Sequence, residues 1–211
     1  MADLPLEHRT SAPADADGPV PAVVLLHGLG ADEGDLLGLA SDLPDEARVL
    51  SLRGPDPHGP GFSWFEFDGP DPADARPVAS DLRRSRDLLE ETVDGATERY
   101  DVDADRVGLL GFSQGAVLAL AALLGTPERY AWTVAAHGFF PDDVAGTGRV
   151  ERPVLCTAGE TDAVVPPERA ADAVERLRER GCAVDHRTYP TGHRLGREER
   201  VDVAAWVADH L

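Results

Sequence analysis

Short, unbroken apolar runs recur along this chain, each bounded by Pro, Gly or charged residues. They fall at Ala22–Leu26, Arg48–Leu52, Arg106–Leu110, Tyr130–Val134 and Val154–Thr157, and Val184–Tyr189 is read with them as a sixth strand. A strand with one wet face alternates apolar and polar positions, whereas a strand covered on both faces is apolar throughout. These runs therefore read as buried strands of a parallel sheet. Between them lie stretches of helical character, at 33–42, 78–99, 114–124, 167–180 and 195–209. The longest sets Leu82, Leu88, Leu89 and Val93 among Arg, Asp and Glu, the spacing of an amphipathic helix. Strands alternating with helices predict an α/β fold, a mostly parallel central sheet with helices on both faces.

Two segments break the alternation. Residues 11–21 (SAPADADGPVP) are rich in Pro and Asp and read as a loop or ragged edge, so residues 1–21 are expected to be partly irregular. Residues 53–77 are rich in Pro, Gly and Asp with no regular period, and a loop of that length in a compact domain is usually functional. The whole chain of 211 residues is the size of one domain. No internal repeat or low-complexity tract is visible.

The candidate chemistry sits where a strand meets a helix. Gly111-Phe112-Ser113-Gln114-Gly115 follows the run ending at Leu110 and opens the helical stretch from 114. G-x-S-x-G in that context is the sharp turn that exposes a serine hydroxyl at the sheet's C-terminal edge. With 21 Gly and 7 Ser, a chance match is expected only about 0.07 times in such a chain. Ser is also a favoured helix N-cap, but a cap requires no flanking glycines.

A serine hydroxyl needs a base, and the base needs an acid that fixes its tautomer. The chain order in this kind of fold is Ser, acid, His. His193 lies in Tyr189-Pro-Thr-Gly-His193, a turn after the last strand, on the face where open α/β sheets bind ligands. His186 falls inside a strand and His210 near the C-terminus, and both read as structural or solvated. His137 follows a strand, yet no strong acid candidate separates it from Ser113. Four acids compete: Asp142, Asp143, Glu160 and Asp162. Asp162 is preferred because the apolar pair Val164-Val165 behind it can anchor its loop. The oxyanion hole is expected from the Gln114 N–H, the residue after the nucleophile, and from Leu29 N–H in His27-Gly28-Leu29-Gly30. His27 reads as a loop-shaping residue. No His pair sits at ligand spacing, so a metal is not expected.

Composition changes the picture through charge. Thirty-nine acidic residues stand against 20 basic ones, all Arg, for a net charge of −19. Phosphate repels such a surface, so nucleic acid is not an expected partner. Three readings fit this balance, a salty cytoplasm where screening relieves the self-repulsion, a genome that avoids Lys codons, or acidity with no special meaning, and the first is favoured. The two cysteines, Cys156 and Cys182, read as buried thiols of a reducing, cytoplasmic compartment rather than a bridge. No apolar run is long enough to span a membrane, and the acidic start has no secretory h-region. Neither stable membrane association nor secretion is expected, and the chain is taken as a monomer or homodimer.

The motifs together resemble the phospholipase/carboxylesterase family, the acyl-protein-thioesterase-like branch of the α/β hydrolases. The matching residues are His27-Gly-Leu-Gly30 with Asp32 and Gly34, Arg53-Gly-Pro55 with Trp64-Phe65, Gly111 to Ala116, Thr161-Asp162 with Val164-Val-Pro166, and Gly192-His193. The resemblance implies an α/β-hydrolase fold without a lid domain and a Ser113–Asp162–His193 triad. It also implies an oxyanion hole from Leu29 and Gln114, and cofactor-free hydrolysis of small carboxylic esters or thioesters. Trp64 and Phe65 are expected to line the acyl pocket, with Phe139 and Phe140 as further candidates. The chain departs from the family pattern at His137, Ala158, Thr191 and Arg194, neighbours of the triad that bear on substrate preference. Two other readings remain open: a dienelactone-hydrolase-like enzyme, whose nucleophile is Cys where this elbow has Ser, and a non-catalytic binding protein on the same fold.

Overall fold

The computed structural model describes residues 4–13, 18–69, 75–142, 144 and 146–211. The chain begins with β1 (His8–Ser11), β2 (Val20–Leu26), the one-turn α1 (Leu37–Ala40) and β3 (Arg48–Leu52). Four short strands follow, β4 (Asp56–His58), β5 (Gly61–Ser63), β6 (Phe67–Asp68) and β7 (Arg76–Pro77). Next come α2 (Ala79–Tyr100), β8 (Val102–Phe112), α3 (Gln114–Gly125) and β9 (Trp132–Ala136). The order ends with β10 (Pro153–Gly159), α4 (Pro167–Glu179), β11 (Ala183–Tyr189) and α5 (Arg197–Ala208).

Seven strands form one sheet in the order β1-β3-β2-β8-β9-β10-β11. All neighbours are parallel except β1, which runs antiparallel to β3 at one edge. The continuous apolar runs follow from this placement. In β2, Ala22, Val24 and Leu26 enter the core shared with α2, α3 and α4, while Val23 and Leu25 enter the opposite core under α1 and α5. Each such Val or Leu contributes about 1.5–3 kcal/mol when fully buried. Helix α3 is buried from Gln114 to Leu124, which is why its sequence is apolar all round.

Four elements differ from the sequence expectation, the first being β11, which was read as buried but lies at the edge of the sheet with Tyr189 as its one buried residue. The helix expected over 33–42 shrinks to α1, because the Asp32 carboxylate accepts the Gly34 N–H at 2.7 Å and turns the chain before it can coil. Strand β1 was not visible in the pattern, since its four residues are mostly exposed and it is held by backbone pairing with β3. The aperiodic segment 53–77 carries two short antiparallel strand pairs, β4–β5 and β6–β7. Among the described residues, no helix is long and apolar enough to cross a membrane.

Candidate active site

Ser113 occupies the turn between β8 and α3 with φ 55° and ψ −115°. For a residue with a Cβ this conformation costs on the order of 1–3 kcal/mol. It is held by the Ser113 N–H donating to Ala136 O at 2.8 Å and by the Ser113 carbonyl accepting from the Ala116 and Val117 amides. The flanking glycines answer to close approach. A Cβ on Gly111 would run into the backbone of Gly115, and one on Gly115 into the carbonyl of Leu26.

The parallel strands end at one edge of the sheet, and their loops bring the other polar groups to Ser113. His193, after β11, sets Nε2 2.8 Å from Ser113 Oγ and Nδ1 2.7 Å from Asp162 Oδ2. Asp162, after β10, is buried, and its Oδ1 accepts the Val164 and Val165 N–H groups at 2.9 Å each. Burial alone would raise the Asp162 pKa, but the hydrogen bonds from His137, His193 and the two valine amides outweigh it and hold it below the ordinary value. Glu160 is exposed and Asp142 pairs with Arg176, so neither faces His193. Asp143 lies outside the described residues. His186 is exposed on β11, and His210 stacks on Trp206.

A second imidazole meets the same aspartate. His137, at the end of β9, places Nδ1 2.8 Å from Asp162 Oδ2, and its Nε2 faces the buried carboxylate of Glu199 on α5 at 3.2 Å. The sequence reading tested His137 only as a rival base and gave Glu199 no role. The one available signal was the departure from the family pattern at position 137. His137, Asp162 and His193 place three possible metal-ligating atoms within 4.8 Å of one another, a cluster that linear spacing conceals. Within the cluster, Asp162 Oδ2 is hydrogen-bonded to Nδ1 of each histidine.

The loop after β2 is braced from behind. His27 donates from Nδ1 to Gly28 O at 2.7 Å and accepts the Gly54 N–H on Nε2 at 2.9 Å, which defines its tautomer. Burial lowers the His27 pKa, in keeping with a neutral ring. The Gln114 side chain accepts the Trp64 N–H at 2.8 Å and donates to Phe65 O at 2.6 Å, tying the 53–77 segment to the elbow. Among the described residues, the Leu29 and Gln114 amides meet no acceptor, which leaves both free for a ligand oxygen.

A cavity of about 570 Å³ opens beside Ser113 and His193, walled by Gly28, Leu29, Phe67, Ala75, Phe112, Phe139, Val164 and Val165. Trp64 and Phe65 do not line it, which corrects the expectation that they form the acyl wall. Both are 0 % exposed, because their backbone groups are bound to Gln114 and their rings fill the core beneath the loop. Phe67, two residues on, reaches the cavity in their place. Phe139 lines it as well, whereas Phe140 packs under the Arg176 guanidinium.

A serine on a strand–helix elbow, joined through one imidazole to a buried aspartate at the C-terminal edge of a mostly parallel sheet, defines an α/β hydrolase. The profile of the phospholipase/carboxylesterase family matches residues 10–211, and the chain belongs to that family. It is similar to the putative hydrolase MhqD of Bacillus subtilis, at 25% identity over 195 residues covering 90% of this chain and 93% of that one. Acyl-protein thioesterase 1 of Debaryomyces hansenii is 25% identical over 215 residues, covering 90% and 91%. The crystal structure of a carboxylesterase from Mesorhizobium loti matches with a TM-score of 0.88 at 26% identity, over 99% of this chain and 97% of that one.

Proposed function

We propose that the protein is a serine carboxylesterase that cleaves short- to medium-chain carboxylic esters or thioesters through an acyl-enzyme. The observation that carries this reading is the unbroken hydrogen-bond path from Ser113 Oγ through His193 to Asp162, opening into an apolar cavity. In the first step Ser113 Oγ attacks the substrate carbonyl while His193 Nε2 takes its proton, and Asp162 steadies the imidazolium through Nδ1–H. The negative charge that forms on the carbonyl oxygen is met by the Leu29 and Gln114 amides, the latter at the N-terminus of α3. Collapse expels the alcohol or thiol, which receives the proton from His193. Water, deprotonated by His193, then attacks the acyl-serine, and collapse releases the acid as His193 returns the proton to Ser113 Oγ.

The cavity volume lies within the range of small-ligand sites, and its walls are mainly aliphatic and aromatic, with Asp35 and Gln114 among them. Both features suit an unbranched acyl chain of modest length. Cys156 and Cys182 are free and buried, in keeping with a reducing cytoplasm, and the charge of −19 suits a salty one. The reading is tested with a series of p-nitrophenyl esters from acetyl upward. Turnover that peaks at short to medium chains and persists after dialysis against a chelator supports it, and absence of turnover across the whole series rejects it.

A further inference from the structure

His137 and Glu199 are buried, titratable and in contact with the site, yet the ester chemistry above gives them nothing to do. Asp162 Oδ1 is filled by two valine amides, and Oδ2 faces two imidazole nitrogens, His193 Nδ1 at 2.7 Å and His137 Nδ1 at 2.8 Å. An ionised carboxylate only accepts, so both nitrogens must carry hydrogen. The other nitrogen of His137 then confronts a second acceptor. Nε2 lies 3.2 Å from one Glu199 oxygen and 3.3 Å from the other. Glu199 Oε2 also receives the Gly196 N–H at 3.2 Å, and Oε1 has no hydrogen-bond partner among the described residues, so with Glu199 ionised the ring nitrogen meets acceptors alone. An imidazole that donates from both nitrogens is an imidazolium.

Resting on the ester-hydrolase reading, we propose that His137 and Glu199 form a positioning pair: Glu199 holds His137 as a buried imidazolium that shares Asp162 Oδ2 with His193. Through that shared oxygen the pair acts on the catalytic imidazole, and the pH profile of activity is its readout.

The surroundings fit this role. His137 is 1 % exposed, with φ 52°, and its N–H donates to Thr157 O at 2.9 Å, so the ring has little freedom. Among the described residues, the titratable groups facing it are Asp162 from the β10–α4 loop, His193 from the β11–α5 loop and Glu199 from α5. The β8–α3 turn presents Phe112, whose ring centroid is 5.5 Å away. Burial pulls the His137 pKa down, but the hydrogen bonds to Glu199 and then Asp162 outweigh it and leave the pKa raised. A positive charge on Oδ2 weakens the hold of Asp162 on a second proton at His193. Removing that charge strengthens the hold and delays the release of the proton to higher pH.

Two variants and one direct measurement test the pair. His137→Asn tolerates a left-handed φ and keeps an N–H for Asp162 while removing the charge. Glu199→Gln keeps a polar partner for His137 and removes the carboxylate that holds it charged. The rising limb of kcat/KM against pH, for a p-nitrophenyl ester, is expected to move up by roughly half to one pH unit in both. A midpoint that is unmoved or lowered in either folded variant overturns the proposal, since a merely structural role would reduce the plateau without moving the midpoint. Nitrogen NMR of wild-type His137 at pH 7 is independent of the variants. Two protonated ring nitrogens agree with the proposal, and a single one overturns it. The ester-hydrolase reading fails separately, by loss of turnover in the wild type, and the NMR result stands in that case too.

Discussion

Trp64 donates its indole N–H to the carbonyl of His27 at 2.9 Å, so the aperiodic segment after β3 holds the loop that carries the Leu29 amide. Trp64→Phe keeps most of the ring volume and leaves that buried carbonyl without its donor. The expected loss is about 1–3 kcal/mol of stability, measured by denaturant unfolding. Activity is expected to fall by a similar factor for every acyl length, because the ring does not line the cavity. A change in acyl-length preference would return Trp64 to the pocket wall.

Phe67 is half-buried and faces the cavity together with Phe139, their ring centroids 6.5 Å apart. Phe67→Ala lengthens the apolar space beside Ser113. The ratio of kcat/KM for medium over short acyl esters is expected to rise about tenfold, the scale of one or two methylenes in an apolar pocket. An unchanged ratio in the folded variant would place the acyl chain elsewhere.

Glu33 is buried beneath a two-pronged contact with Arg53, Nε to Oε2 at 2.6 Å and Nη2 to Oε1 at 3.0 Å. That hydrogen-bonded guanidinium holds the Glu33 carboxyl down to about 2 from an ordinary 4.5. A depressed carboxylate stabilises the fold fully above its unfolded value, and the contribution is lost as pH falls from about 4.5 toward 2. At pH 7, Glu33→Gln is expected to lower stability by on the order of 2–3 kcal/mol. The gap between variant and wild type should close as the pH approaches 2. Urea melts at pH 7, 4 and 2.5 check this, and a gap that stays constant would count against the pairing.

The charge of −19, with Arg as the sole strong base, makes self-repulsion the dominant long-range force on the folded chain. Raising KCl from 0.1 M to 2 M shortens the screening length from about 10 Å to a few Å. The melting temperature and the esterase rate are both expected to rise over that range. Melting curves that stay level or fall across the series would exclude adaptation to a salty cytoplasm, and would leave the role of Ser113 untouched.

Five of the strands, β2, β3, β8, β9 and β10, were legible because their burial on both faces writes itself as apolar runs, whereas β11, read as buried, lies at the sheet edge with Tyr189 as its one buried residue. The elbow was legible because the closeness of Gly111 to Gly115, and of Gly115 to Leu26, leaves no room for other residues. Strand β1 left no trace, since backbone pairing at an exposed edge places no demand on side chains. The pocket wall was misread at Trp64 and Phe65 for a related reason. An aromatic pair in a loop looks the same whether its rings fill a core or line a cavity, and only the Gln114 tethers decide which. His137 stayed hidden because its partners, Asp162 and Glu199, lie 25 and 62 residues away. No local spacing records such a contact.

The central claim is that Ser113 is the nucleophile, activated by the His193 ring 2.8 Å away. A fluorophosphonate probe followed by peptide mass spectrometry tests it most directly. The expected result is one label per chain on the peptide containing Ser113. With Ser113→Ala, the label should disappear and p-nitrophenyl acetate turnover should drop to near background while the fold is retained. Labelling of another residue, or turnover by Ser113→Ala within tenfold of the wild type, would contradict the claim.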